Sequence, residues 1–154
     1  MKKINSLAFV TAAFFAASTA LAGNVSVFGP WLGPDQESIE AVLDGYANTT
    51  GNTYSYVGSD SFEQQVRIDA EAGSAANVSV FPQPGLAADF AKLGFLTPLA
   101  SGTGDWVRDN YAAGQSWVDL GTYAGPDGKD NLYGFFYKID VKSLVWYSPE
   151  NFED

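Results

Sequence analysis

The sequence predicts an α/β fold with a mostly parallel sheet and helices on both faces. Two observations carry this. Short apolar, β-prone runs alternate with amphipathic helical patterns in the order strand, helix, strand, helix, strand, helix. Each run stops at a Gly- or Pro-containing loop, and such short continuous apolar strands suit a sheet covered on both sides.

The first strand is Val25-Ser26-Val27-Phe28, stopped by Gly29-Pro30. Ile39, Val42, Leu43, Tyr46 and Ala47 then follow the i, i+3, i+4, i+7, i+8 spacing of one helical face, with Pro34 and Asp35 suited to the first turn and Gly51 to the stop. Thr53 to Val57 alternates and predicts a second strand, turned by Gly58-Ser59. Asp60-Ser61-Phe62-Glu63 has the spacing of a capping box, with Asp60 as the cap of a second helix running to about Gly73. Val78 to Phe81 predicts a third strand ended by Pro82-Gln83-Pro84, and Leu86, Phe90 and Leu93 mark a third helix closed by Gly94. Leu96 to Leu99 reads as an extended connector and Asp105 to Ala113 as a weaker helix. Residues 114 to 131 read as loop with a short strand at Trp117 to Leu120, followed by aromatic-rich strands at Leu132 to Tyr137 and Ser143 to Tyr147. Ser148 to Asp154 looks like a strand end leading into a new helix.

Composition narrows the chemistry. With no Cys and no His, disulfides, thiol nucleophiles, Cys/His metal sites and Ser-His-Asp triads are excluded. The 18 acidic residues outweigh the 8 basic ones; Lys2 and Lys3 fall in a leader, leaving −12 for the chain beyond it. That charge repels phosphate backbones and argues against nucleic acid as a partner. Aromatic residues make up 15% of the chain, and a surplus of Trp and Tyr points to ligand stacking as well as core.

Residues 1–22 read as a secretory signal peptide. Lys2 and Lys3 supply the positive start, Leu7 to Ala17 an apolar run of 11 residues, and Ala20-Leu21-Ala22 the small-x-small cleavage pattern, so Gly23 is expected to begin the mature protein. The run is too short to span a bilayer, so no stable membrane insertion is expected. No cofactor or metal is expected either. Asp127-Gly128-Lys129-Asp130-Asn131 lacks the alternating oxygen ligands of an EF-hand and reads as a solvated turn.

In open α/β sheets ligands gather beyond the carboxyl ends of the strands. Here those ends carry Trp31, Ser59 with Asp60, and Gln83 between two prolines, a set suited to a neutral polyol. Trp31 offers a flat face for a pyranose ring, and equally reads as a core residue lying over the first helix. Asp60 and Ser59 can bond sugar hydroxyls; Asp60 can do so while capping a helix. Gln83, with Pro84 beside it, offers an amide in a stiff loop, where plain turn chemistry is the other reading.

Several stretches together carry a resemblance. They are the leader, the Gly29-Pro30-Trp31 loop, Gly58 to Phe62, and Val78 to Pro84. Above all they are Tyr133-Gly134-Phe135-Phe136-Tyr137-Lys138 and Leu144 to Phe152. The ordered set resembles the N-terminal part of the extracellular solute-binding proteins (family 1) of sugar ABC transporters, and within them the α-glucoside-binding proteins. The resemblance implies a two-lobed, hinged fold, of which residues 23–154 would be a partial N-terminal lobe. It also implies a periplasmic location, an α-glucoside ligand, an inner-membrane ABC permease as partner, and no catalysis. Tyr137 and Lys138 resemble positions near that family's cleft. Two other readings stand beside it: a secreted glycoside hydrolase, which would need two carboxylates facing across a sugar, and a non-functional fragment of a truncated gene.

Overall fold

The computed structural model describes residues 23–139 and 145–151; the expected leader lies outside the described residues. Its first part is β1 (Asn24–Gly29), α1 (Pro34–Thr50), β2 (Thr53–Gly58), α2 (Phe62–Glu71), β3 (Val78–Ser79) and α3 (Pro84–Leu93). The strands form a parallel sheet in the order β2-β1-β3. The chain therefore moves to one edge after β1 and crosses back over it after β2. That reversal beside β1 is the topological switch point where α/β sheets open a crevice.

The pleat of β1 decides which helix covers which side. Phe28 faces α2 and α3, where it joins Phe62, Val66 and Phe90 in one buried cluster with Phe81, Leu86 and Leu96 against it. The rings form a continuous series: Phe28 to Phe62 at 4.9 Å, Phe62 to Phe81 at 5.8 Å, Phe81 to Phe90 at 5.4 Å between centroids. Four of the seven phenylalanines among the described residues are thus core. The other face carries Val27 beside its register partner Tyr56, and α1 lies over it. Tyr54 ties the two together: its hydroxyl donates to the Asp44 carboxylate at 2.8 Å and lies 3.2 Å from the Glu40 carbonyl. Of the apolar stripe predicted on α1, Ile39 is buried while Val42 is 62% exposed. Both predicted helix stops hold: Gly51 and Gly94 take the left-handed conformation that a side chain disfavours, with φ 73° and 80°.

The second part is α4 (Thr103–Asn110), α5 (Gln115–Leu120) and the antiparallel hairpin β4 (Thr122–Ala124) and β5 (Asp130–Leu132), with Val107 and Val118 buried between them. The Leu99 amide donates to the Leu132 carbonyl at 2.8 Å, joining the hairpin to the connector after α3. Of the Asp127–Asn131 stretch, residues 127–129 lie in the hairpin turn, where Lys129 pairs with Asp127 at 3.2 Å, while Asp130 and Asn131 begin β5. A short 3-10 turn (Pro149–Asn151) falls where a helix start is expected.

Several expectations need correction. Residues 117 to 120 are helical, not a strand: Gln115 donates to Asp119 one turn on at 2.7 Å, and α5 buries Val118. The strand expected over Leu132 to Tyr137 stops at Leu132, because its partner β4 begins at Thr122. One further bond, from the Tyr133 amide to the Gly121 carbonyl at 2.9 Å, leaves no strand to continue on. The third strand pairs only over Val78–Ser79; the Val80 amide still reaches the Phe28 carbonyl at 2.8 Å before Pro82 removes the next useful donor. The helix expected over Asp105 to Ala113 is Thr103–Asn110, and the second helix ends at Glu71. Of the strand expected at Ser143 to Tyr147, residues 143 and 144 lie outside the described residues and 145–147 carry no regular structure. Asp60 is not the cap of α2. Ser61 occupies that position without a side-chain cap bond, and Asp60 sits one residue too early, inside a turn closed by Ser59.

Candidate functional site

Parallel pairing sends the loops after β1, β2 and β3 out of the same edge of the sheet. Gly29 and Gly58 end their strands as register partners, and the Ser59 amide donates to the Gly29 carbonyl at 3.0 Å. Trp31 follows at once and its backbone is pinned from below. The Tyr56 hydroxyl accepts from the Trp31 amide at 3.2 Å and donates to its carbonyl at 3.1 Å. Gly58 makes room for this: a Cβ there would run into the Trp31 carbonyl oxygen. Burial raises the Tyr56 pKa above its ordinary value, helped by the charge of Glu40 and opposed by its bond to Trp31. The phenol thus stays protonated, as its donation to Trp31 requires.

The indole ring of Trp31 meets the segment after β5. Tyr137 stands edge-on to it, with centroids 5.3 Å apart at 85°. The Lys138 ammonium lies over the ring at 5.4 Å and pairs with Asp35 in the first turn of α1 at 3.0 Å. Together these four border a shallow hollow of about 230 Å3, floored by Ile39 and Val42. The Tyr137 pKa is raised, first by burial and then by Tyr56 and Asp35. The Lys138–Asp35 pair is well solvated on both sides, so its contribution is small, about 0.2–1 kcal/mol. A hollow of this size is below the roughly 300–1,000 Å3 of most small-molecule sites.

The expected residues thus fall into two groups. Trp31 meets the adjacent pair Tyr137 and Lys138, which lie more than 100 positions further along the chain. Ser59, Asp60, Gln83 and Pro84 stay on the neighbouring loops and do not line this hollow. Ser59 is half-buried and its Oγ accepts from the Ser61 amide at 3.1 Å. Asp60 is exposed. Gln83 is exposed at the N-cap position of α3 in extended backbone, and Pro84 fills the first helical position. The residue missed from sequence is Asp35. It reads as an ordinary first-turn acid, and only its place four residues after a loop Trp hints at more. A second hollow of about 300 Å3 lies against Ser26, Ser55 and Val57, where Gln65 donates to Asp69 at 2.7 Å. It opens on the face of the sheet and not at the strand ends. Among the described residues no group of three or more acidic, His or Cys side chains is placed to hold a metal ion, and no helix is long and apolar enough to cross a membrane.

No protein-family model matches the chain. It is 55% identical over 130 residues to the alpha-glucosides-binding periplasmic protein AglE of Rhizobium meliloti (strain 1021), an alignment covering 84% of this chain and 28% of that protein. Over the matched residues the chain is a homologue of that protein. It is also 40% identical over 129 residues to the osmoprotective compounds-binding protein GgtB of Synechocystis sp. (strain ATCC 27184 / PCC 6803 / Kazusa), covering 83% of this chain and 29% of that one. The chain therefore spans under a third of the length of these curated relatives. The solved structure "CpMnBP1 with Mannotriose Bound" overlays on 66% of this chain and 26% of its own, with a TM-score of 0.44 and 20% identity.

Proposed function

We propose that this chain is part of the periplasmic substrate-binding component of an ABC-type sugar importer that takes α-glucosides, and that it binds without catalysis. The single observation that carries this is the 55% identity to an α-glucoside-binding protein over 130 residues, 84% of this chain. In this reading residues 1–22 are a cleaved signal peptide, and residues 23–154 form part of the first lobe of a two-lobed, hinged fold. The delivered sugar passes to an inner-membrane permease. Trp31 and Tyr137 supply the stacking surface at the switch point, and Ser59, Asp60 and Gln83 on the adjacent loops supply hydrogen bonds from a wider cleft. Pro84 stiffens the Gln83 loop.

A glycosidase is disfavoured by the same geometry. Asp35 is the one carboxylate bordering the Trp31 hollow among the described residues, and it is neutralised by Lys138; both glycosidase mechanisms need two carboxyl groups across the sugar. The hollow is also open and small. A sugar bound to one wall keeps its outer hydroxyls in water, where each protein hydrogen bond replaces one to solvent and gains little.

Calorimetry with maltose and related α-glucosides tests this on two proteins, the present chain and a form extended to the length of the curated relatives. The extended form should bind, and the present chain far more weakly. Equal affinity would show that residues 23–154 are a complete module, and absence of binding in the extended form would overturn the α-glucoside reading. Turnover of aryl glucosides would revive the enzyme.

A further inference from the structure

We propose that Lys138 is an internal occupant of the Trp31 ring, held there by Asp35, and that sugar must displace it to stack; this rests on the sugar reading above. Three contacts coincide. The ammonium lies over the indole at 5.4 Å, the same nitrogen pairs with Asp35 at 3.0 Å, and Tyr137 abuts the ring at 5.3 Å. Lys138 and Asp35 are 103 residues apart in sequence, so this pair fastens the segment after β5 over the loop after β1. A pyranose stacked on the pocket side of Trp31 needs the ring surface that the ammonium covers. Lys138 itself borders the hollow beside Trp31, so it already occupies one side of the space a stacking ring would enter.

The fastening is made weak enough to yield. Both charged side chains are substantially solvated, at 37% and 57% exposure, and an exposed ion pair and an exposed cation–π contact each contribute little. Cation and sugar are chemically unlike occupants of one aromatic face: the first is attracted by the ring quadrupole, the second by dispersion and its apolar C–H face. The lysine therefore covers the indole while no sugar is present and sets a threshold for binding. Because Asp35 holds it electrostatically, salt lowers that threshold.

The test has a sugar-free arm and a sugar arm. In protein labelled with 5-fluorotryptophan, the Trp31 19F resonance is assigned through Trp31→Phe. It is then compared in the parent chain, Lys138→Met, Asp35→Asn and Lys138→Arg, with far-UV circular dichroism as the folding control. The Trp31 resonance should move in Lys138→Met and Asp35→Asn and with added salt. It should stay near its parent position in Lys138→Arg, while the other tryptophans hold still. An unmoved Trp31 in both of the first two variants overturns the fastening without reference to any sugar. Maltotriose is then titrated into each protein. Lys138→Met and Asp35→Asn should bind on the order of three- to tenfold more tightly than the parent, the scale of an exposed ion pair or cation–π contact. Salt should strengthen binding to the parent and leave Lys138→Met unchanged. Weaker binding by Lys138→Met overturns the proposal and makes the lysine a direct sugar contact. A moving Trp31 with no maltotriose binding in any variant overturns the competition, while the sugar reading itself stands or falls on the extended form.

Discussion

Replacing Gly58 by Ala should destabilise the protein, while the same replacement at Gly45 should stabilise it. Gly58 closes β2 directly beneath Trp31. An added Cβ would press on the Trp31 carbonyl oxygen and lie 2.9 Å from the Leu32 side chain. Leu32 can swing aside, but the Trp31 backbone cannot easily retreat because the Tyr56 hydroxyl grips both its amide and its carbonyl. Overpacking of this kind costs about 1–3 kcal/mol, and loosening the Tyr56 bonds adds about 0.5–1.5 kcal/mol for each one lost. Gly45 lies inside α1, and a Cβ there meets nothing within 4 Å. Alanine at an interior helical position gains about 0.8–1 kcal/mol over glycine. Urea unfolding followed by circular dichroism measures both. With a slope of about 1–3 kcal/mol/M, the Gly58→Ala midpoint should fall by roughly 1–2 M and the Gly45→Ala midpoint should rise by a few tenths. If Gly58→Ala came within about 0.5 kcal/mol of the parent, the range of neutral surface changes, the argument that Gly58 is needed for the approach of Trp31 would be wrong.

Three further outcomes are expected. Phe62→Ala, at a ring 1% exposed between Phe28 and Phe81, should cost about 3–5 kcal/mol, and calorimetry should show loss of a cooperative melt; a melt within a few degrees of the parent would count against the aromatic core. Tyr54, whose hydroxyl donates to Asp44, should titrate at about 12 against an ordinary 10.0. The folded state therefore favours the protonated phenol, so its contribution is whole below pH 10 and fades as pH rises through about 12. Absorbance titration at the phenolate band, with Tyr54→Phe as the difference, should find this group, and Asp44→Asn should bring it back down. Finally, export should cleave the chain after Ala22; intact mass of periplasmic protein beginning at Gly23 would agree, and retention of the leader in a membrane fraction would not.

The parts of the fold legible in the sequence were those with a local cause. Val25 to Phe28 is a short apolar, β-prone run ended by Gly29-Pro30, Thr53 to Val57 alternates, and the stripe from Ile39 to Ala47 is long enough to declare a helix between Pro34 and Gly51. Where the pattern is short, neighbours decided. Trp117 to Leu120 has strand-like composition, but Gln115–Asp119 bonding and packing of Val118 on α4 make it helical. The run Leu132 to Tyr137 is as β-prone as any in the chain, yet a strand needs a partner, and β4 supplies only three residues. At the site, the position of Trp31 on the loop after the first strand was visible because chain order places it there. Asp35 was not, because a first-turn acid is ordinary until something comes to meet it.

The sequence by itself therefore determined the alternation of strands and helices, the absence of thiol and imidazole chemistry, and the loops from which a site could be built. These follow from period, composition and turn residues, which are properties of neighbours along the chain. Only the tertiary structure decided the order β2-β1-β3, the fate of the aromatic residues and the meeting of Trp31 with Tyr137 and Lys138. The physical reason is distance along the chain. A contact across 103 residues leaves no trace in local periodicity; it exists because parallel pairing sets the loop after β1 at one edge and the segment after β5 returns to it. The same return places a lysine on the ring that composition alone offers to a sugar.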